Sequence, residues 1–290
     1  MRSHSSRRRF LAAGAALLAA PVARRAGALE DGGPPFVVTP PVVVERMLYL
    51  AAPKPGEYLV DLGCGDGRIV IEAARRGATA LGVDIDPRLV EHARAAAERA
   101  GVSARARFEV RDLFDTDLNA ANVVTLYLLP EVNLKLRPRL IASLKPGARV
   151  VSHDFDLGDW SADETIDVRV PEKPVGPLGR SKVMLWVVPA DLRGRWVGEL
   201  PGHGGRWRFE VGQSYQMLQV RAFGGASEVP IRSAVLSGNE VLMLGVGMVA
   251  GKAWNHRFEG RLEGDTIVGE LRLSDGEQVR RLPWRITKNP

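Results

Sequence analysis

Between residues 58 and 154, short apolar runs alternate with amphipathic segments whose apolar residues have helical spacing. The apolar runs are typical of β-strands, and they read YLVDL, TALGVDI, ARFEV, NVVTLYL and ARVVSHD. Strands that alternate with helices favour a parallel sheet covered by helices on both faces. Two later runs, ETIDVRV and SKVMLWVV, have no helix between them and predict a closing antiparallel hairpin. The sequence therefore predicts an α/β fold with a seven-stranded sheet.

From residue 191 the pattern changes to short alternating runs separated by glycines, such as RWRFEV, YQMLQVRA and TIVGEL. Regular short strands without helical periodicity favour a meander closed as a small all-β barrel or sandwich. Four tryptophans fall on these runs, and we interpret them as core residues rather than a ligand platform; they are Trp196, Trp207, Trp254 and Trp284. We therefore predict an α/β domain over residues 29–190 and a lipocalin-like barrel domain over residues 191–290.

The first 28 residues have the layout of an export signal. Six arginines precede residue 29 with no acidic residue among them, an alanine-rich apolar run lies between Arg9 and Arg24, and AGA precedes Leu29. This order is typical of a signal peptide, and SRRRFL resembles the twin-arginine motif. We expect handling by the Tat translocase and a periplasmic mature chain; the alternative is a basic tail that matches by chance. The apolar run stops at Pro21, which is short for a lasting membrane span.

The charge distribution excludes one broad class of partner. The formal net charge is +6, but the first 28 residues carry that surplus, and the remaining basic side chains equal the 34 acidic ones in number. A neutral chain lacks the positive footprint that binding to phosphate backbones requires, so we do not expect nucleic acid as the main partner. Cys64 is the single cysteine, which leaves no set of thiolates for a structural metal.

A glycine-rich loop, DLGCGDGRIV, follows the first predicted strand. Its glycines are Gly63, Gly65 and Gly67, and Arg68 stands where a dinucleotide-binding fingerprint needs its third glycine. Asp61 and Asp66 flank the turn and would repel a pyrophosphate. The loop therefore favours a cationic ligand over a dinucleotide.

Residues 61–67 resemble the first motif of class I methyltransferases, the Rossmann-like enzymes that use S-adenosylmethionine. This cofactor carries a sulfonium and an ammonium, which the acids of the loop would attract. The resemblance implies that Asp61 and the three glycines hold the cofactor. It also implies that Asp84, with Ile85 beside it, receives the ribose hydroxyls, and that Asp112, with Leu113, contacts the adenine. A carboxylate with two acceptor oxygens suits a vicinal diol.

The segment after the fourth strand, TLYLLP, lacks the Asn/Asp-Pro-Pro-aromatic stretch that many amide and ring-nitrogen methyltransferases carry. With PFVVTPPVVVERML and GARVVSHDFDLGDW it resembles the small protein-lysine methyltransferases of archaea and mitochondria. That resemblance implies a lysine acceptor, with Tyr127 as a catalytic residue and Thr39, Leu129 and Pro130 as substrate-binding residues. Tyr127 as a core residue at a strand end is the alternative. We also predict Thr39 as the N-cap of a helix over residues 38–52.

Two other functions stay open at this stage. One is methylation of a small molecule, with the barrel carrying a lipophilic ligand; the other is a non-catalytic protein that only binds the cofactor. His153 and Asp154 form a polar pair after the fifth predicted strand. Adjacent side chains on a strand point to opposite faces, so we expect no shared role and no metal there.

Overall fold

The computed structural model describes residues 37–173, 179–200, 205–225, 227–249 and 251–289. The predicted signal segment, residues 1–28, lies outside the described residues. The sheet and the barrel lie in one compact unit, Val38–Pro290. Within the ranges given above, no helix is both long enough and apolar enough to cross a bilayer.

The first part of this unit is an α/β sandwich. Its helices are α1 (Pro41–Ala51), α2 (Arg68–Arg75), α3 (Pro87–Arg99) and α4 (Pro130–Ser143). Its strands are β1 (Tyr58–Leu62), β2 (Thr79–Asp84), β3 (Ala106–Val110), β4 (Val123–Leu126), β5 (Arg149–His153), β6 (Glu164–Arg169) and β7 (Arg180–Val187). The predicted α/β fold with seven strands is confirmed.

The strand order is β3-β2-β1-β4-β5-β7-β6. Strands β1 to β5 are parallel to one another, whereas β7 is antiparallel to both β5 and β6, which confirms the predicted hairpin. The order reverses between β1 and β4. In an open α/β sheet, a ligand binds at the carboxyl ends of the strands where the order reverses. This topology places the candidate site beyond Leu62 and Leu126.

Alternate residues of the central strands pack on opposite faces of the sheet. On β1, Leu59 belongs to the core formed with α1, α2 and α3, whereas Val60 belongs to the core formed with α4. Both residues are fully buried. Burial on both faces explains why these strands are continuous apolar runs in the sequence.

The second part is a closed barrel of eight antiparallel strands, in the order β10-β11-β12-β13-β14-β15-β8-β9. These strands are β8 (Gly194–Leu200), β9 (Gly205–Ser214), β10 (Met217–Gly224), β11 (Ser227–Ser237), β12 (Glu240–Val249), β13 (Lys252–Glu263), β14 (Thr266–Ser274) and β15 (Val279–Asn289). Of the two predicted architectures, the barrel is confirmed. The sequence did not reveal β11, because it contains Pro230 and several polar residues; its register with β10 shifts between Met217 and Arg221.

Aromatic side chains fill the middle of the barrel. The four tryptophans predicted as core residues are at most 4% exposed. Phe258 lies between them, with ring centroids 5.3 Å from Trp284 and 5.6 Å from Trp207. A ligand carried by the barrel would have to bind outside this packed centre. A cavity of about 750 Å³ does border β9, β10 and β11, and its lining includes Val220 and Arg221.

We expect Phe258→Ala to destabilise the barrel by about 3–5 kcal/mol, because it removes a fully buried ring and leaves a cavity. The matched control is Phe223→Ala on β10. Phe223 lies on the outer face, where the Arg208 guanidinium lies 4.3 Å from its ring centroid, so its loss should cost about 1 kcal/mol or less. Urea unfolding followed by tryptophan fluorescence measures both. Equal losses would contradict the assignment of Phe258 to the core.

Candidate active site

The loop between β1 and α2 forms a cradle at the carboxyl end of the sheet. Gly63 and Gly67 have φ angles of +77° and +79°, in the left-handed region that favours glycine. A Cβ atom on Gly67 would lie 2.6 Å from the Phe108 ring, and one on Gly63 would lie 2.8 Å from Leu128. Both the backbone conformation and the packing therefore require glycine. The amide of Gly63 is itself held by the carbonyl of Val83 at 2.9 Å.

Asp84, the last residue of β2, holds this cradle from the neighbouring strand. Its Oδ2 accepts a hydrogen bond from the Gly65 amide at 2.9 Å, and its Oδ1 accepts one from the Asp86 amide at 3.0 Å. A carboxylate has about four acceptor positions, so both oxygens can accept further hydrogen bonds. The carboxylate that was assigned to the ribose hydroxyls thus lies against the glycine loop.

Asp61 is a buried acid near the end of β1, with only 2% of its surface exposed. Its Oδ1 accepts a hydrogen bond from the Thr125 hydroxyl at 2.6 Å, across the β1–β4 pair. Burial raises the pKa of Asp61 to about 7 against the lowering effect of that hydrogen bond, and Asp84 and Asp66 raise it further. A cation bound next to Asp61 would favour its charged form.

Polar contacts tie the cradle to the segment before α1. Arg68 donates through Nε to Asp66 Oδ1 at 2.9 Å and through Nη1 to the Thr39 carbonyl at 2.7 Å. The prediction of Thr39 as helix N-cap is wrong, because Pro40 occupies that position and no side chain caps α1. Proline suits the start of a helix without a cap, since its φ angle is fixed. The buried Thr39 side chain instead faces His153, with Oγ1 3.5 Å from Nδ1.

Tyr127 lies just beyond β4 on the other side of the cradle. Its ring stacks on the His153 ring with centroids 3.9 Å apart, and the Phe155 ring lies 6.3 Å away. Burial and the Asp154 carboxylate raise the pKa of Tyr127 to about 12, so the hydroxyl stays protonated. That hydroxyl has no hydrogen-bond partner within the described ranges, which leaves it available to a ligand. The predicted substrate-binding residues Leu129 and Pro130 are exposed at the start of α4.

His153 belongs to a buried polar cluster that the sequence did not predict. Its Nε2 lies 2.9 Å from the Ser181 hydroxyl and 3.4 Å from Asp154 Oδ2, and Lys173 Nζ lies 2.5 Å from the same carboxylate oxygen. The expectation that His153 and Asp154 point to opposite faces is wrong, because β5 ends at His153 and Asp154 has a φ angle of +64°. Burial lowers the pKa of His153, which keeps its ring neutral behind Tyr127.

The residues assigned to the adenine lie at the other end of the site. Asp112 Oδ1 accepts the Phe114 amide at 2.8 Å and so stabilises the short turn after β3. Leu113 is half-buried on this turn, while Ile85 is 52% exposed beside Asp84. The exposed apolar side chains of Ile85 and Phe114 suit the flat face of a base. These assignments stay predictions.

The charges and donors of this cradle fit S-adenosylmethionine. Arg68 neutralises Asp66, while Asp61 and Asp84 have no cationic partner among the described side chains. The packing at Gly63 and Gly67 leaves no room for a Cβ atom. Burial raises the pKa of the Cys64 thiol, so that side chain is a neutral packing residue and not a nucleophile. Sequence reasoning missed Thr125 and Arg68; the strand pairing of Asp61 with Thr125 is a tertiary signal that one chain's pattern does not contain.

The α/β part of the chain resembles known methyltransferases. A family model described as the ANTKMT methyltransferase domain matches residues 61–164. A protein-lysine N-methyltransferase from Saccharolobus islandicus is 44% identical over 127 residues, which is 43% of this chain and 79% of that protein. The adenine nucleotide translocase lysine N-methyltransferase from Mus musculus is 38% identical over 144 residues, which is 49% of this chain and 57% of that protein.

A solved structure of an RNA methyltransferase from Salinibacter ruber, in complex with S-adenosyl-L-homocysteine, is 49% identical to the chain. It covers 54% of this chain and 96% of that one, with a TM-score of 0.49. The barrel strands, which begin at Gly194, lie beyond the match to the family model.

We expect the affinity for S-adenosylmethionine to fall by about tenfold, which is about 1.4 kcal/mol of binding free energy, between pH 8 and pH 6. The Asp61 carboxyl takes up a proton as the pH falls through about 7 and loses the charge that attracts a cation. Isothermal titration calorimetry at several pH values measures the change.

Asp61→Asn is the control for this pH dependence. It keeps the size of the side chain but has no charge to lose, so its affinity should be lower and should vary less between pH 6 and pH 8. An equally steep decline in the Asp61→Asn variant would show that another group causes it.

Proposed function

The chain belongs to the class I S-adenosylmethionine-dependent methyltransferases of the protein-lysine N-methyltransferase family, and on that premise we propose that it methylates lysine side chains of another protein. S-adenosylmethionine is the cofactor, and Asp61, Asp84 and the glycine cradle are the residues suited to bind it. The observation that carries the lysine assignment is the site beside the cradle. There, the Tyr127 ring stacks on a neutral histidine, its hydroxyl has no hydrogen-bond partner among the described residues, and Leu129 two residues on is exposed.

This site suits the chemistry of an amine acceptor. When bound, S-adenosylmethionine supplies an electrophilic methyl group on a positively charged sulfur. A lysine side chain attacks only when it is neutral, and its pKa in water is about 10.4. An apolar site that already holds the positively charged cofactor disfavours the ammonium form of the lysine. The lysine therefore loses a proton to solvent and becomes neutral. The N–C bond then forms as the C–S bond breaks, and the thioether leaves with the bonding pair.

Tyr127 is the residue we assign to alignment of the amine. Its hydroxyl oxygen can accept a hydrogen bond from an N–H of the neutral amine, which turns the nitrogen lone pair toward the methyl group. The stack on His153 holds the ring in place. Thr39 Oγ1 lies 3.5 Å from His153 Nδ1. Leu129 and Pro130 are exposed where the acceptor chain would enter.

The proposal is tested by incubating residues 29–290 with methyl-labelled S-adenosylmethionine and a proteome extract. We expect acid-stable label on protein, recovered as methyl-lysine after hydrolysis. Label confined to RNA or to the small-molecule fraction would contradict the lysine assignment. Cofactor binding without any transfer would favour a protein that only binds the cofactor.

We expect Tyr127→Phe to lower the rate of transfer about tenfold, since one aligning hydrogen bond is worth about 1.4 kcal/mol in the transition state. Affinity for S-adenosylmethionine should stay within about twofold, because the hydroxyl contacts no part of the cradle. Tyr49→Phe is the matched control, because Tyr49 is 66% exposed on α1 and should show the full rate. A full rate for Tyr127→Phe would remove this hydroxyl from the mechanism.

We also propose that the chain is exported by the twin-arginine route and works in the periplasm. The arginine pair, the apolar run and the AGA sequence before Leu29 support this proposal. The twin-arginine route carries proteins already folded, which suits a cofactor-binding sheet. Fractionation of cells that express the full chain tests this proposal. The control is a variant that combines Arg7→Lys, Arg8→Lys and Arg9→Lys. A cytoplasmic location for the unaltered chain would contradict it.

A further inference from the structure

The loop between β5 and β6, residues 154–163, connects the candidate acceptor site to the barrel. At its start, Phe155 lies beside Tyr127. At its end, Trp160 and Ser161 contact the turn between β9 and β10, which contains Tyr215 and Gln216. This loop is called the acceptor loop below.

The barrel turn holds the acceptor loop through a buried amide. Gln216 Oε1 accepts a hydrogen bond from the Trp160 indole at 3.0 Å, and Gln216 Nε2 donates one to the Ser161 carbonyl at 2.6 Å. Trp160 is fully buried and Gln216 is 8% exposed. A buried amide that lost either partner would leave an unsatisfied polar group, so these two bonds fix the loop and the turn together.

Tyr215 adds a second contact to the same turn. Its ring stacks on the Trp160 ring with centroids 5.7 Å apart, and its hydroxyl donates to Asp159 Oδ1 at 3.1 Å. Tyr215 has a φ angle of +53°, a conformation that is unfavourable for a residue with a side chain. A two-residue hairpin turn requires a positive φ at its first position, and the contacts with the acceptor loop help to hold Tyr215 in that conformation.

The sheet side anchors the acceptor loop as well: Arg137 Nη1 donates to the Leu157 carbonyl at 2.8 Å, and the Trp186 indole donates to the Trp160 carbonyl at 2.7 Å. The Phe155 carbonyl accepts hydrogen bonds from Ser152 Oγ at 2.6 Å and from Asn133 Nδ2 at 3.1 Å. The other amide atom of Asn133, Oδ1, is buried and has no partner among the described residues. The sheet and the barrel therefore hold the loop from two sides, and the barrel contacts fall on residues 159–161.

We propose that the β9–β10 turn of the barrel positions the second half of the acceptor loop, residues 159–161, and so limits the movement of the loop that begins beside Tyr127 at Phe155. This inference rests on the proposed function for its effect on turnover. Tyr215 and Gln216 are positioning residues, because they lie on the barrel and act through Trp160 and Ser161. The barrel then has a role in catalysis without contributing a group to the site.

The test uses Gln216→Ala in residues 29–290, compared with Asn239→Ala. Asn239 is a matched control, because its amide donates to the Leu262 carbonyl within the barrel rather than to the acceptor loop. We expect Gln216→Ala to raise hydrogen exchange of residues 154–163 at least tenfold. Asn239→Ala should leave exchange of that segment unchanged.

Transfer kinetics provide the second readout, with methyl-labelled S-adenosylmethionine and graded amounts of proteome extract as acceptor. Gln216→Ala should lower the maximal rate or raise the half-saturating amount of extract about fivefold, while cofactor affinity stays within twofold. Gln216→Glu keeps the acceptor for the Trp160 indole and should recover part of the loss. A fall in cofactor affinity of similar size would instead indicate general destabilisation and would overturn the inference.

Trp160→Phe keeps the ring but removes the indole N–H, so it tests the same bond from the sheet side if Gln216→Ala does not fold. Unchanged exchange of residues 154–163 in the folded variants would overturn the inference, whatever the kinetics. Absence of transfer by the unaltered chain would instead refute the proposed function, and the exchange experiment would still decide whether the barrel positions the loop.

Discussion

The hydrogen bond from the Gly65 amide to the Asp84 carboxylate, together with two from the loop to the Val83 carbonyl, joins the two strand ends on which the site is built. It fixes the glycine cradle after β1 against the end of β2. Because Gly63 and Gly67 have no room for a Cβ atom, the backbone follows one narrow path between β3 and the segment after β4. The positions of Asp61, Arg68 and Thr39 all depend on that path.

The cradle also brings several carboxylates close together. Asp61 and Asp84 lie close enough for Asp84 to raise the pKa of Asp61, and burial makes the charged form costly. Arg68 compensates for Asp66 only. A cationic ligand relieves this repulsion, whereas a pyrophosphate would increase it. The cradle therefore selects its cofactor by charge, whereas the Tyr127 ring stacked on the neutral His153 provides a separate environment for an amine.

Much of the fold could be predicted because each strand is a distinct apolar run and each helix has its own periodicity. The hairpin of β6 and β7 was visible because no helical segment separates its strands. Strand β11 was not, since Pro230 and its polar neighbours mask the alternation. The roles of Thr39 and Asp154 were also missed. Thr39 is not the N-cap of α1 because Pro40 occupies that position, and Asp154 lies close to His153 because its backbone is left-handed just after β5. The contact of Gln216 with Trp160 joins residues 56 positions apart, which no local pattern encodes.

Calorimetric titration of S-adenosylmethionine into Asp84→Asn, with Asp86→Asn beside it, tests the central claim most directly. Asp86 is the N-cap of α3, two residues from Asp84, and asparagine caps a helix as well as aspartate does, so Asp86→Asn should change the affinity little. Loss of the Asp84 charge weakens the two hydrogen bonds assigned to the ribose hydroxyls, and it weakens the bond from the Gly65 amide. We therefore predict an affinity for S-adenosylmethionine at least about 100-fold lower. An affinity for Asp84→Asn equal to that of the unaltered chain would contradict the assignment of the cradle as the cofactor site.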